Sequence, residues 1–370
     1  MNIAWFTVRR WADFCATTTD ALAHGMVANG HELTVFNPDA SEEHRDAPWD
    51  HVSLEQSGVR GFQARSLAKS GARWLSRAAN TAAVDVVLVD WQLLPTLMPT
   101  LVKLNRPVVL VDRSPPADAG LLGTLQWKVW KRAWRCLRDG RIQAGTVVSP
   151  AHADFVTKRV GVRASDVHTL PAGVDVNAFQ PHAIPSTPLR TVYHGRLDKN
   201  RGVLALPMLV HLLRQDGVEA ELTLIGDGDA LPALKEMEAE RPWMNLVPTL
   251  AHEDLPAELT QHHVGFLPMP ATTVWQLASP LKRSEYLAAG LLVLGIDHDG
   301  HRLEGVNEAW YRLLAQEDFL TDGVAWLRQL DEDRLAKGRR ASRSFAESSC
   351  SWETSVEVLE NLLQSFNHDA

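Results

Sequence analysis

The chain has 370 residues, 45% hydrophobic and 22% charged, which is the composition of a soluble globular protein with room for two cores. No uncharged apolar run approaches the roughly eighteen residues of a membrane span. The opening MNIAWFTVRRW starts as a strand rather than as a basic segment leading into an apolar signal core, so a cytoplasmic protein is expected. The formal net charge of −8 argues against a nucleic-acid partner, but it is unevenly spread: 20 Lys+Arg against 17 Asp+Glu up to residue 180, and 17 against 28 beyond it.

Taken in chain order, short β-branched runs alternate with longer segments of helical spacing. In the first half, strands are expected at Asn2–Thr7, Glu32–Asn37, Asp85–Asp90, Pro107–Asp112 and Gly145–Ser149, with helices over Thr18–Asn29 and Thr124–Arg138. DVVLVD and RPVVLVD are apolar on both faces, as strands of a parallel sheet covered by helices must be. Residues 181–189 carry Pro181, Pro185 and Pro188 and read as a linker. The pattern then restarts with RTVYHG, ELTLIG, MNLVP, HVGFLP and LLVLGI. The expected fold class is α/β, with two doubly wound Rossmann-like domains at 1–180 and 190–348. Residues 349–370, beginning near SWE, are expected to form a last helix packing back across both domains.

Two basic segments stand out in the first half. In TLQWKVWKRAWRCLRDGR, Thr124 to Arg141, the residues Trp127, Trp130, Trp134 and Leu137 share one helical face, and Lys128, Lys131, Arg132, Arg135 and Arg138 cover the rest. Such a helix either packs its tryptophans on the sheet or lies at an anionic membrane surface. Arg65, Lys69, Arg73 and Arg77 recur every four residues and keep the second option open. Cys15, Cys136 and Cys350 make neither a CxxC pair nor an even framework, so reduced thiols are expected. His262 and His263 are adjacent and cannot aim at one ion from a regular element, so no metal site is expected.

In open α/β sheets, ligands bind beyond the carboxyl ends of the strands. There the second half offers Gly195, Arg196 and Arg201 after RTVYHG, and Gly226, Asp227 and Asp229 after ELTLIG. Beyond HVGFLP comes SPLKRSEYLAAG, where Ser279 suits a helix N-cap and Pro280 the first helical position, leaving the N–H groups of Leu281 and Lys282 for a ligand. Guanidinium groups and a helix N-terminus are what a diphosphate needs, and Glu285 is placed to accept from a ribose diol. Each feature also has a plainer reading: exposed arginines are commonly solvated, Asp-Gly is ordinary turn chemistry, and Lys282 and Glu285 can be surface residues.

HGRLDKNRG, LTLIGDGD, NLVPTLAHEDLPAEL, SPLKRSEYLAAGLLVLG and SWETSVEVLENLL together resemble the donor domain and closing helix of retaining GT-B glycosyltransferases, specifically glycosyltransferase family 4. GHELTVFNP, VVSPAHADFV and TLPAGVDVNAFQP resemble that family's acceptor domain. The resemblance implies two domains facing across a cleft. It also implies transfer of a hexose-type sugar from a UDP- or GDP-sugar, without a metal, to a hydroxyl acceptor such as a glycan, while the two basic segments keep a lipid-linked acceptor and a peripheral place at the inner face of the membrane open. By the same resemblance Arg196 and Arg201 hold the diphosphate, Glu285 the ribose, and backbone near Leu250 the base. Leu277 stands where the family's first motif glutamate would be, which motivates the alternative of a degenerate nucleotide-sugar binding or scaffold protein. Asp112 and Arg113 stand where family members often carry a histidine. Asp112 either approaches the acceptor hydroxyl or caps the loop after its strand.

Overall fold

The computed structural model describes residues 1–11, 16–77, 84–116 and 120–366, so Cys15 lies outside them. The chain divides into two compact units, Met1–Pro171 with Trp352–Ala370, and Ala172–Ser351.

In the first unit β1 (Asn2–Phe6), α1 (Thr17–Ala28), β2 (Glu32–Asn37), β3 (Asp50–Ser53), α2 (Gln63–Leu75), β4 (Val86–Asp90) and α3 (Leu94–Leu104) come first. They are followed by β5 (Val108–Val111), α4 (Gly120–Arg138), β6 (Ala144–Val147), α5 (Pro150–Val160) and β7 (Val167–Thr169). The strands form one parallel sheet in the order β3-β2-β1-β4-β5-β6-β7. Because side chains alternate along a strand, β1 sends Ala4 and Phe6 to one core and Ile3 and Trp5 to the other. Likewise β4 splits Val87 and Val89 from Val86 and Leu88. The pattern-free apolar strands are therefore buried on both faces, as a doubly covered sheet requires.

The second unit runs β8 (Leu189–His194), α6 (Ala205–Gln215), β9 (Ala220–Ile225), α7 (Leu231–Ala239), β10 (Met244–Val247), α8 (Leu255–Leu259) and β11 (Val264–Leu267). It continues with α9 (Thr273–Gln276), α10 (Leu281–Ala288), β12 (Leu292–Ile296), β13 (Tyr311–Leu314), α11 (Thr321–Leu327) and α12 (Glu332–Ser349). Its parallel sheet has the order β10-β9-β8-β11-β12-β13. The closing helix α13 (Trp352–Ser365) belongs to the first unit, where Leu359, Leu362 and Leu363 join the core beside α1.

Strands β3, β7 and β13 were not expected from the pattern. Each is three or four residues long, sits at a sheet edge, and is at least half composed of partly exposed positions, so neither length nor apolar run marks it. No helix among the described residues is long and apolar enough to cross a membrane.

Candidate functional site

Both sheets change winding direction at one point, between β1 and β4 in the first unit and between β8 and β11 in the second. Such switch points open a crevice at the strands' carboxyl ends. In the second unit that crevice is made by the loop after β8, the loop after β9 and the start of α10.

The first two loops are knitted into one floor. Leu197 N–H donates to the Asp227 carbonyl at 2.9 Å, Lys199 N–H to Asp229 Oδ1 at 2.7 Å, and Gly195 N–H to the Ile225 carbonyl at 2.8 Å. Gly226 has φ +137°, and a Cβ there would fall 1.9 Å from the Gly195 carbonyl oxygen, so only glycine lets these loops touch. Asp227 is exposed and caps its own turn, accepting from Gly228 N–H at 2.8 Å. Leu250 is half-buried against the unit's core in the segment after β10.

The two arginines share one carboxylate. Arg196 donates through Nη2 to Asp198 Oδ1 at 2.9 Å and through Nε to Oδ2 at 3.3 Å, while Arg201 Nε lies 3.5 Å from the same Oδ2. Hydrogen bonding and charge from Asp198 raise the Arg196 pKa. Burial raises the Asp198 carboxyl, but Arg196, the Asp229 N–H and Arg201 outweigh it and hold it below the usual range. Arg201 stacks its guanidinium over Trp275, 4.6 Å from the ring centroid, and its buried Nε meets no acceptor in hydrogen-bond geometry among the described residues.

Helix α10 begins differently from the expectation. Pro280 is its N-cap and Leu281 its first residue, because the Ser279 hydroxyl is taken by the Ala172 N–H at 3.0 Å and by Arg283 Nη2 at 3.3 Å. Leu281 and Lys282 are therefore the first two residues of the helix. Lys282 is buried, with Nζ 5.1 Å from the centre of the Tyr193 ring. Glu285 is buried too, and its Oε2 lies 3.1 Å from Nε2 of His194, the last residue of β8. Burial pushes the Glu285 carboxyl up, yet His194, with His252 and Lys282 behind it, outweighs that and holds it below its usual value. Leu277 follows α9 and is buried apolar surface, 6% exposed.

A family model for "Glycosyltransferase Family 4" matches residues 15–178, and one for "Glycosyl transferases group 1" matches 188–330. The chain belongs to the family 4-like GT-B glycosyltransferases. No curated protein gives a significant match. Among solved structures, the glycosyltransferase resembles sucrose-phosphate synthase from Thermosynechococcus elongatus, with TM-score 0.75 and 15% identity over 100% of both chains. It is also similar to a glycosyltransferase from Rickettsia africae ESF-5, with TM-score 0.77 and 12% identity over 100% of this chain and 99% of that one. A third likeness is Anabaena Alr3699/HepE, solved in complex with UDP-glucose, with TM-score 0.70 and 13% identity over 99% of this chain and 100% of that one.

In the glycosyltransferase's first unit the residue read as an acceptor-side acid proves to be core. Asp112 is 1% exposed, and its Oδ2 accepts from Trp130 Nε1 at 2.6 Å and Trp134 Nε1 at 2.8 Å, with His152 Nε2 3.4 Å away. The same bonds decide between the two readings of the α4 tryptophans, since Trp130, Trp134 and Leu137 pack on the sheet and do not face a membrane. The carboxylate at the switch point is instead Asp90, ending β4. It accepts from the Thr7 hydroxyl at 2.8 Å and Val8 N–H at 3.0 Å, and burial raises its pKa despite those donors and the nearby Arg9 and Arg113. Sequence reading missed Asp90, His194, Asp198 and Trp275. The first two close strands, a position that signals a ligand site in this architecture, whereas Asp198 and Trp275 are defined only by their tertiary partners.

Proposed function

We propose that this glycosyltransferase takes a nucleoside-diphosphate sugar, UDP- or GDP-linked, and transfers its hexose-type sugar to a hydroxyl with retention. The observation that carries the reading is the convergence at one switch point of Arg196 and Arg201, both held by Asp198, and the first turn of α10. In this account Arg196 and Arg201 bind the diphosphate with the N–H groups of Leu281 and Lys282, Glu285 binds the ribose, and backbone near Leu250 meets the base. As the sugar C1–O bond breaks, charge moves onto the leaving phosphate, where fixed cations stabilise it; losing one such contact typically costs roughly two to three decades in rate. The acceptor oxygen adds to C1 and its proton passes to the departing phosphate oxygen, so the reaction does not depend on Asp112. The UDP-glucose complex of the Anabaena relative supports a nucleotide-sugar donor. Thermal stabilisation and slow hydrolysis across a nucleotide-sugar panel test it.

A binding protein without turnover is favoured by one observation, the buried Leu277 in place of an acid. It predicts stabilisation by a nucleotide sugar and no hydrolysis or transfer, even with glycan and lipid acceptors supplied.

For the acceptor, the outer face of the first unit supports a lipid-linked substrate at an anionic surface. On α4, Leu121, Leu125 and Val129 form an exposed stripe four residues apart, beside exposed Lys128 and Arg132. Phe62 and Val59 are 57% and 62% exposed and, with Arg65 and Lys69, line a groove of about 460 Å³. An apolar stripe with cations beside it suits acidic headgroups. Co-sedimentation with phosphatidylglycerol vesicles at low salt, lost in Leu121→Asp/Leu125→Asp, is the expected result; no sedimentation of the wild type rejects this acceptor reading.

A further inference from the structure

His194 Nε2 and Glu285 Oε2 stand 3.1 Å apart, with side chains 8% and 6% exposed. The ring meets Tyr286 edge-on at 5.2 Å between centroids, and the His194 backbone N–H donates to the Tyr286 hydroxyl at 3.3 Å. The imidazole is thus clamped between the end of β8 and the inner face of α10. The charged and titratable groups around the pair are Lys282 and Tyr286 on α10, Tyr193 on β8, and His252 beyond β10.

We infer that His194 is a positioning residue for donor binding, its ring fixing the Glu285 carboxylate for the ribose. The inference rests on the proposed ribose role of Glu285. A buried carboxylate without a partner is costly, and without the ring Nε2 3.1 Å away Glu285 would lose the group that holds it toward the ribose. A glutamine at 194 keeps an N–H donor within reach of that carboxylate.

The test is calorimetric titration of the full chain with UDP-glucose and GDP-glucose at a single pH. Wild type is expected to bind one of them. His194→Ala should bind it about tenfold more weakly, the scale of one hydrogen bond to a charged group. His194→Gln should recover most of that loss, and thermal melting checks that each variant folds. A folded His194→Ala that binds as wild type does, or a folded His194→Gln that binds as weakly as His194→Ala, overturns the inference. Glu285→Gln separates the two claims. If it binds unchanged, the ribose role fails and this inference with it; if it binds weakly while His194→Ala does not, only His194 is excluded. Failure of wild type to bind either sugar nucleotide overturns both.

Discussion

A guanidinium already forked onto a carboxylate is positioned before an anion arrives. Arg196 is in that state with Asp198, but its side chain is 47% exposed, and such solvent-facing pairs add little to folding. Arg196→Ala is therefore expected to melt within about a degree or two of wild type while its affinity for the donor falls roughly tenfold or more; a melting curve with and without nucleotide sugar reads both. Asp112 should behave in the opposite way. Asp112→Ala strands two buried indole N–H groups, a loss of about 2–4 kcal/mol by urea unfolding. The folded Asp112→Asn variant, which retains an acceptor oxygen, is expected to keep turnover; loss of more than a hundredfold there would return Asp112 to the reaction. The sequence carried the residue types well and their partners poorly. Arg196, Arg201 and Glu285 stand out in the sequence because strand-end cations and a carboxylate on a helix near them have a chemistry of their own, whereas the two readings of Asp112 stay open until Trp130 and Trp134 are seen to occupy it.

At the scale of elements, the loops after β8 and β9 work as one piece because two glycines let their backbones touch. Gly226→Ala would put a methyl group on the Gly195 carbonyl at a φ that L-residues avoid. Donor binding is expected to disappear, with a lower unfolding midpoint, and an Ala variant that binds with wild-type affinity would mean that this loop contact is not needed. Helices and central strands were legible from periodicity, since burial on both faces leaves an unbroken apolar run. Edge strands β3, β7 and β13 were not, because a half-covered four-residue strand has no pattern to show. Helix α4 has apolar residues on two sides, and only its packing tells which are core: Trp130 and Trp134 face inward, and Leu121, Leu125 and Val129 outward.

For the molecule as a whole, pH enters folding through buried histidines. His262 and His263 have pKa values lowered by burial to about 4, and His263 Nδ1 accepts the Arg190 N–H at 3.0 Å, which a protonated ring cannot do. Between about 4 and 6.5 the unfolded chain binds more protons than the folded one, so stability rises with pH across that window and is lost on acidification. Each histidine contributes on the order of 1.4 kcal/mol per pH unit there. The urea midpoint should therefore drop more steeply from pH 6.5 to 4.5 in wild type than in His262→Gln/His263→Gln. Two α/β sheets were foreseeable from the restart of the strand grammar after the proline-rich stretch. That α13 belongs to the first unit is a property of the core, where Leu359, Leu362 and Leu363 close the α1 face.

Donor binding and transfer can be measured together with a panel of UDP- and GDP-sugars, read by thermal stabilisation and by release of the nucleoside diphosphate. The expected result is a melting shift with one nucleotide and slow hydrolysis of its sugar, both lost in Arg196→Ala. No shift with any UDP or GDP compound would contradict it.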